Sequence, residues 1–189
     1  MKIAFVMYDG LTLLDFAGVY DPLTRLKTMG FLPDLTYTVC STKETVRTSE
    51  GLLIRADLAG CDLAEFDYVL IPGGDGIRDL LGDREFLTWI TRRSEKTVTA
   101  AVCGGSLLLG AAGLLRDRRA TTHPELRGVL GHFAREVSSD RIVEDGRIIT
   151  AGGVTAAIDL GLYLCEKIGG LQVREQVQKQ MDYRNYAAR

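Results

Sequence analysis

The stretch Thr97-Val98-Thr99-Ala100-Ala101-Val102-Cys103-Gly104-Gly105-Ser106-Leu107-Leu108-Leu109-Gly110 decides how the chain folds. It opens as a β-branched, apolar run, the pattern of a strand buried on both faces. Two glycines then precede a helix-compatible run from Ser106 to Leu115. Strand, tight turn and helix follow within a few residues, with Cys103 at the turn. Ala101-x-Cys103-x-Gly105 is a cysteine version of the nucleophile elbow, whose small flanking residues let strand and helix approach closely. A thiol there stands at the positive end of a helix, which favours thiolate and predicts titration below the free value of about 8.5. The alternative for Cys103 is a buried structural cysteine, because free cysteine is among the most buried residue types.

Outward from the elbow, strands and helices alternate. On the N-terminal side, residues 2–7 read as a central strand, 8–15 as a loop, and 16–29 as a helix stopped by Gly30. Residues 34–41 alternate as a strand, with Cys40 assigned to the core, and 52–55 read as a short edge strand after Gly51. Residues 66–71 form a buried strand running into Pro72-Gly73-Gly74-Asp75-Gly76, and a helix is predicted over 84–93. Beyond the elbow, Thr121-Thr122-His123-Pro124-Glu125 reads as a helix start. There Thr122 and Glu125 fit a capping box, and Pro124 is tolerated in the first turn. Residues 133–137 and 142–150 read as strands, the second with an Asp145-Gly146 hairpin turn. Helices over 155–168 and 171–181 follow, separated by Gly169-Gly170. This order predicts an α/β fold: one domain over 1–189, a three-layer sandwich with a mostly parallel sheet and helices on both faces. Ligands bind such sheets beyond the carboxyl ends of the strands. Cys103, Gly73-Gly74 and Asp15 each follow a strand, so they are expected to converge there.

Composition narrows the function classes. A net charge of −2 and a pI near 5.7, without a Lys/Arg cluster interleaved with aromatics, argue against a nucleic-acid partner. The longest apolar run, 107–115, is too short to span a membrane. Residues 1–7 enter a strand with no signal-peptide cleavage pattern, which predicts a cytoplasmic, reduced protein. The four cysteines, Cys40, Cys61, Cys103 and Cys165, contain no CxxC pair, so neither zinc nor a thioredoxin-type dithiol is expected. No metal and no cofactor are predicted. Cys40, Cys61 and Cys165 lie in apolar contexts and are expected to be inert, leaving Cys103 the most reactive of the four thiols.

Three further groups can complete a site around Cys103. The amides of Gly73 and Gly74, with that of Gly104, can form an oxyanion-type hole; a plain glycine turn is the alternative. A phosphate loop is disfavoured, because Gly74-x-Gly76 lacks a third glycine and no GxxxxGK[ST] occurs. Asp15 stands at the start of the first helix, where it either caps the helix or places a carboxyl group beside the thiol. Of the two histidines, His132 reads as a surface residue, and His123 is open between capping and lining the site. A Cys–His pair would give a conventional thiolate, but spacing does not bring His123 to Cys103.

Five segments in order now carry a resemblance. They are Leu14-Asp15-Phe16-Ala17-Gly18, Ile71-Pro72-Gly73-Gly74, Val102 through Gly110, Ala120-Thr121-Thr122-His123, and Thr150-Ala151-Gly152-Gly153-Val154-Thr155-Ala156. Together they resemble the DJ-1/PfpI family. The resemblance implies a flavodoxin-like sheet of the class I glutamine amidotransferase type, with a reactive cysteine at the elbow. The Leu-Asp-x-x-Gly aspartate, the Ala-Thr-Thr-His run and the tail Arg174-x-x-Val177-Gln178-x-Gln180-Met181-x-Tyr183 are most similar to the family's isocyanide hydratases. These convert an isonitrile and water to an N-substituted formamide. By that likeness Cys103 attacks a small isonitrile, Asp15 manages protons, and the chain pairs as a homodimer, with Leu171, Val173 and Val177 offered by the last helix. Two departures stand out: Gly104 replaces the histidine of protease-like members and the threonine usual in hydratases, and the C-terminus is shorter than theirs. Glyoxalase-type conversion of 2-oxoaldehydes is the second enzymatic reading. A redox or ligand sensor built on Cys103 is the non-enzymatic one.

Overall fold

The computed structural model describes residues 1–184 and 186. The chain starts with β1 (Lys2–Val6), α1 (Leu13–Thr28) and β2 (Thr36–Ser41), then a hairpin of β3 (Thr45–Arg47) and β4 (Leu53–Arg55). Next come β5 (Leu58–Ala59), β6 (Tyr68–Ile71), α2 (Ile77–Leu80) and α3 (Arg84–Thr91). The elbow joins β7 (Val98–Val102) to α4 (Gly105–Ala111), and β8 (Arg119–Ala120), α5 (Arg127–Leu130) and β9 (Glu136–Val137) follow. The chain closes with β10 (Ile142–Asp145), β11 (Ile148–Ala151), α6 (Ala156–Gly169) and α7 (Leu171–Gln180).

Seven strands form the central sheet in the order β10-β11-β7-β6-β1-β2-β5, parallel throughout except for the β10–β11 hairpin. Strand periodicity divides the core between its two faces. Ala4 and Val6 of β1, with Val69, Ile71 and Ala101, pack with Phe86, Trp89 and Leu107 of the helices on one side. Ile3 and Phe5, with Leu70, Ala100 and Val102, pack with Val19, Leu23, Leu160 and Leu164 of α1 and α6 on the other. The result is the expected three-layer, flavodoxin-like α/β sandwich. Among the described residues no helix is long and apolar enough to cross a membrane.

The local differences from the sequence reading have physical causes. Helix α1 starts at Leu13, three residues before the predicted start, because the Glu50 carboxylate from beyond β3 accepts the Leu13 N–H at 3.2 Å. The cap therefore comes from another element, and Asp15 lies inside the first turn instead of capping it. Residues 53–55 pair antiparallel with β3 and do not join the main sheet. Of 133–137, only Glu136–Val137 is strand, paired with β8. The predicted capping box is absent as well. Thr122 Oγ1 donates to the Cys103 carbonyl at 2.7 Å, and His123 Nδ1 takes the Glu125 N–H at 3.3 Å at the start of a 3₁₀ turn, Pro124–Leu126.

Candidate active site

Cys103 stands where β7 ends beyond the carboxyl edge of the sheet, with φ 54°, a left-handed conformation uncommon for a residue with a side chain. The surroundings hold it there. Its N–H is shared between the carbonyls of Ala151 and Gly152 at 3.1 and 2.9 Å. Its carbonyl accepts from Thr122 Oγ1, and from the Ser106 N–H at 3.3 Å. Backbone strain at a reactive side chain is the mark of an elbow that aims a nucleophile. The sulfur receives the N–H groups of Gly104 and of Val154, itself at φ 20°.

Gly73 sets the distance between thiol and carboxyl. A Cβ added to it would stand 2.6 Å from the Gly104 nitrogen, 2.7 Å from Asp15 Oδ2 and 2.9 Å from Cys103 Cβ. Only a residue without a side chain lets these three groups meet. Asp15 is 1% exposed, and its Oδ2 accepts the Gly73 N–H at 3.0 Å. Oδ1 has no geometric hydrogen-bond partner among the described residues, which leaves it open to an exchangeable proton. Behind Gly73, the buried Tyr8 hydroxyl donates to the Pro72 carbonyl at 2.7 Å and fixes the rear wall. Nothing in the sequence marked Tyr8 beyond its place at the end of the first strand.

Burial dominates the electrostatics. The Asp15 carboxyl is pushed up to about 7, chiefly by burial, against the opposing pull of the Gly73 N–H and the Cys103 thiol. Burial, followed by the neighbouring Asp15 charge, pushes the Cys103 thiol up to about 11. The expected depression by the helix terminus is thus overturned: α4 is only seven residues long, and the Gly104 and Val154 amides only partly offset those two effects. Near neutral pH the pair holds one to two protons and titrates as a unit.

A cavity of about 240 Å³ opens above the thiol, with Cys103, Gly104, His123, Ile77, Leu126 and Val154 among its lining residues. The exposed Asp75, Arg78 and Glu125 also border it. The predicted site residues therefore converge but do not act alike. Gly74 and Gly104 face the cavity, whereas the Gly73 amide is engaged by Asp15 and is closed as an oxyanion donor. Asp15 lies behind the thiol, off the cavity wall. For His123 both readings hold, since it caps the 3₁₀ turn and lines the cavity, its ring against Gly153. His132 is exposed, as expected.

Compared with known families, residues 1–167 match the DJ-1/PfpI family. The chain belongs to the DJ-1/PfpI family. It is 34% identical to an isonitrile hydratase of Pseudomonas putida, over 97% of this chain and 78% of that one. A solved ThiJ/PfpI family protein from Pseudomonas syringae, 30% identical, superposes with a TM-score of 0.87 over 97% of this chain and 75% of its own. The chain is also 28% identical, over 96% of its length, to half of the HTH-type transcriptional regulator GbdR of Pseudomonas aeruginosa.

Within this DJ-1/PfpI site, Gly104 is matched to its neighbour. A Cβ at 104 would come within 2.5 Å of Ile77 Cδ1, so Ile77 fills the space that a side chain there would take. Gly104→Thr is expected to lower the melting temperature by several degrees, through overpacking worth about 1–3 kcal/mol. Shortening the neighbour, in Gly104→Thr/Ile77→Ala, should cost less than the sum of the two single changes. Thermal unfolding of all four proteins measures that coupling.

Proposed function

We propose that the chain is a cysteine-dependent hydratase that adds water to a small isonitrile to give an N-substituted formamide. One observation carries the reading: a buried carboxyl pushed up to about 7 lies against the elbow thiol, under a small cavity walled by Ile77, Leu126 and Val154 and rimmed by polar groups. The likeness to a hydratase of Pseudomonas putida supports it. In the reactive form Asp15 is ionised and Cys103 is a thiol. The isonitrile carbon accepts both the sulfur and a proton, so S–C and C–H bonds form on one atom and leave R–N=CH–S–Cys103. Asp15 removes the thiol proton and returns it to that carbon. Water then adds to the same carbon, one of its protons moves to nitrogen, and the C–S bond breaks. The formamide leaves, and Asp15 relays the second proton back to sulfur. The cycle consumes one water and needs no base beyond the pair.

Incubation of the purified protein with a small alkyl isonitrile tests this directly. The expected result is formamide growing in by NMR at a rate proportional to enzyme; formamide no faster than the buffer blank rejects the activity. Parallel assays with a 2-oxoaldehyde separate the glyoxalase reading. His123→Ala is expected to lower turnover less than about tenfold, because His123 caps and lines but stands outside the proton pair. A larger loss would move the proton chemistry to a Cys–His pair.

A sensing role is the second reading, supported by the match to half of a transcriptional regulator. It predicts that the same isonitrile binds without being consumed. The homodimer stays part of the proposal, although α7 supports it little. Val177 is fully buried and Val173 packs within the fold, so only Leu171 of the three is exposed. Light scattering showing a species of twice 20.7 kDa would support pairing, and a 20.7 kDa species alone would reject it.

A further inference from the structure

At the far edge of the sheet, two thiols meet that the proposed reaction does not use. Strand β5 lies parallel to β2, with Leu58 opposite Cys40 and Ala59 opposite Ser41. The strand ends at Gly60, which turns at φ 69° and gives its N–H to the Ser41 carbonyl at 2.7 Å. That turn folds Cys61 back toward Cys40, and both side chains pack into the same core cluster, where the Cys40 S–H is directed to the Thr38 carbonyl at 3.8 Å. Cys40 is fully buried, whereas Cys61 is only half-buried and open to solvent. The Cys61 carbonyl is held by the indole N–H of Trp89, the chain's single tryptophan, at 2.7 Å.

We propose that Cys40 and Cys61 form a second, independent redox site that closes reversibly to a disulfide under hydrogen peroxide. Two cysteines separated by a hairpin carry no motif, so spacing alone does not announce the pair. The Cys61 sulfur attacks peroxide as thiolate, cleaving the O–O bond to give Cys61–SOH and hydroxide, and the hydroxide takes up the proton that Cys61 gave up to leave as water. The Cys40 sulfur then displaces the hydroxyl group of Cys61–SOH, which leaves as water with the Cys40 proton. In total two thiols are oxidised by two electrons and one peroxide is reduced to two waters. The order follows from exposure and charge. The neighbouring Cys40 sulfur lowers the Cys61 thiol, while proximity to Cys61 and burial raise Cys40, which stays protonated as the resolving group.

Mobility is on the correct side. Cys40 is fixed in β2, where its carbonyl accepts the Met7 N–H at 2.8 Å. Cys61 sits on a turn whose Gly60 has open space around it. The approach to an S–S bond of about 2.05 Å can therefore be made by Cys61. The other two cysteines lack this option: Cys103 faces a carboxyl, and Cys165 gives its S–H to the Pro22 carbonyl at 3.3 Å.

The test treats the full chain with one equivalent of peroxide, followed by peptide mapping. Expected are a loss of about 2 Da, a linked Cys40–Cys61 peptide and recovery of both thiols with dithiothreitol. Trp89 emission should change on closure and return on reduction, since the indole is bonded to the moving loop. Limiting iodoacetamide at pH 7 should label Cys61 ahead of Cys103. In Cys40→Ala, Cys61 should stop at a sulfenic acid that dimedone traps; in Cys61→Ser, Cys40 should stay free. The proposal is overturned if peroxide leaves both thiols free, or if wild-type Cys61 accumulates the dimedone adduct without a crosslink. The wild-type map and Cys61→Ser decide the matter even if Cys40→Ala fails to fold.

Discussion

Cys103→Ala is expected to lower isonitrile turnover by more than about 1,000-fold, with the fold and the affinity for the substrate retained. The size of the loss follows from covalent catalysis, because without the sulfur no adduct forms and the remaining groups can only bind. Retention of the fold follows from the way the elbow is held. The strained φ of 54° is imposed by backbone bonds to Ala151 and Gly152 and by Thr122 Oγ1, none of which involves the side chain. Cys103→Ser is expected to fail almost as completely. A hydroxyl loses its proton far less readily than a thiol, and a carboxyl with a pKa of about 7 is too weak a base to take it. Steady-state rates, calorimetric titration with the isonitrile and thermal unfolding separate chemistry, binding and folding. A Cys103→Ala protein that folds and keeps a tenth of the activity would overturn the nucleophile assignment.

The parts of this picture that were legible in the sequence are those set by local pattern. Alternation of Ile3 and Phe5 with Ala4 and Val6 divides β1 between two faces, and the structure finds those pairs in separate halves of the core. Ala101-x-Cys103-x-Gly105 marked the turn at which strand and helix meet. What escaped depends on groups distant in the chain. The start of α1 is set by Glu50, from the turn of the sequence-distant β3–β4 hairpin. The charge state of Cys103 is set by burial and by Asp15, neither visible at the elbow itself. Tyr8 acts through the Pro72 carbonyl, and Cys40 reaches Cys61 only because β5 pairs with β2. Spacing carries no record of such contacts until the sheet order is known.

Asp15→Asn separates the proton chemistry from the architecture. Asparagine keeps an oxygen for the Gly73 N–H and nearly the same volume, but it cannot accept a proton from the thiol. Turnover is expected to fall about 100-fold or more, within the range of general acid–base catalysis. In the wild type, kcat/KM should rise through pH 7 as Asp15 ionises, and in the variant that rise should disappear. Stability should move in the opposite sense. The folded Asp15 binds its proton more tightly than the unfolded residue, whose pKa is about 3.9. Its neutral form therefore leaves stability intact below about pH 4, and stability is lost as the pH climbs to 7, by up to about 4 kcal/mol for three pKa units. Asparagine is spared that loss. Relative to the wild type, Asp15→Asn should therefore melt higher at pH 8 than at pH 5, while being the poorer catalyst at the higher pH. A melting difference that does not change with pH would mean that Asp15 does not titrate in the neutral range. Full activity in Asp15→Asn would show that the thiol finds its proton acceptor elsewhere, with His123 the next group to test.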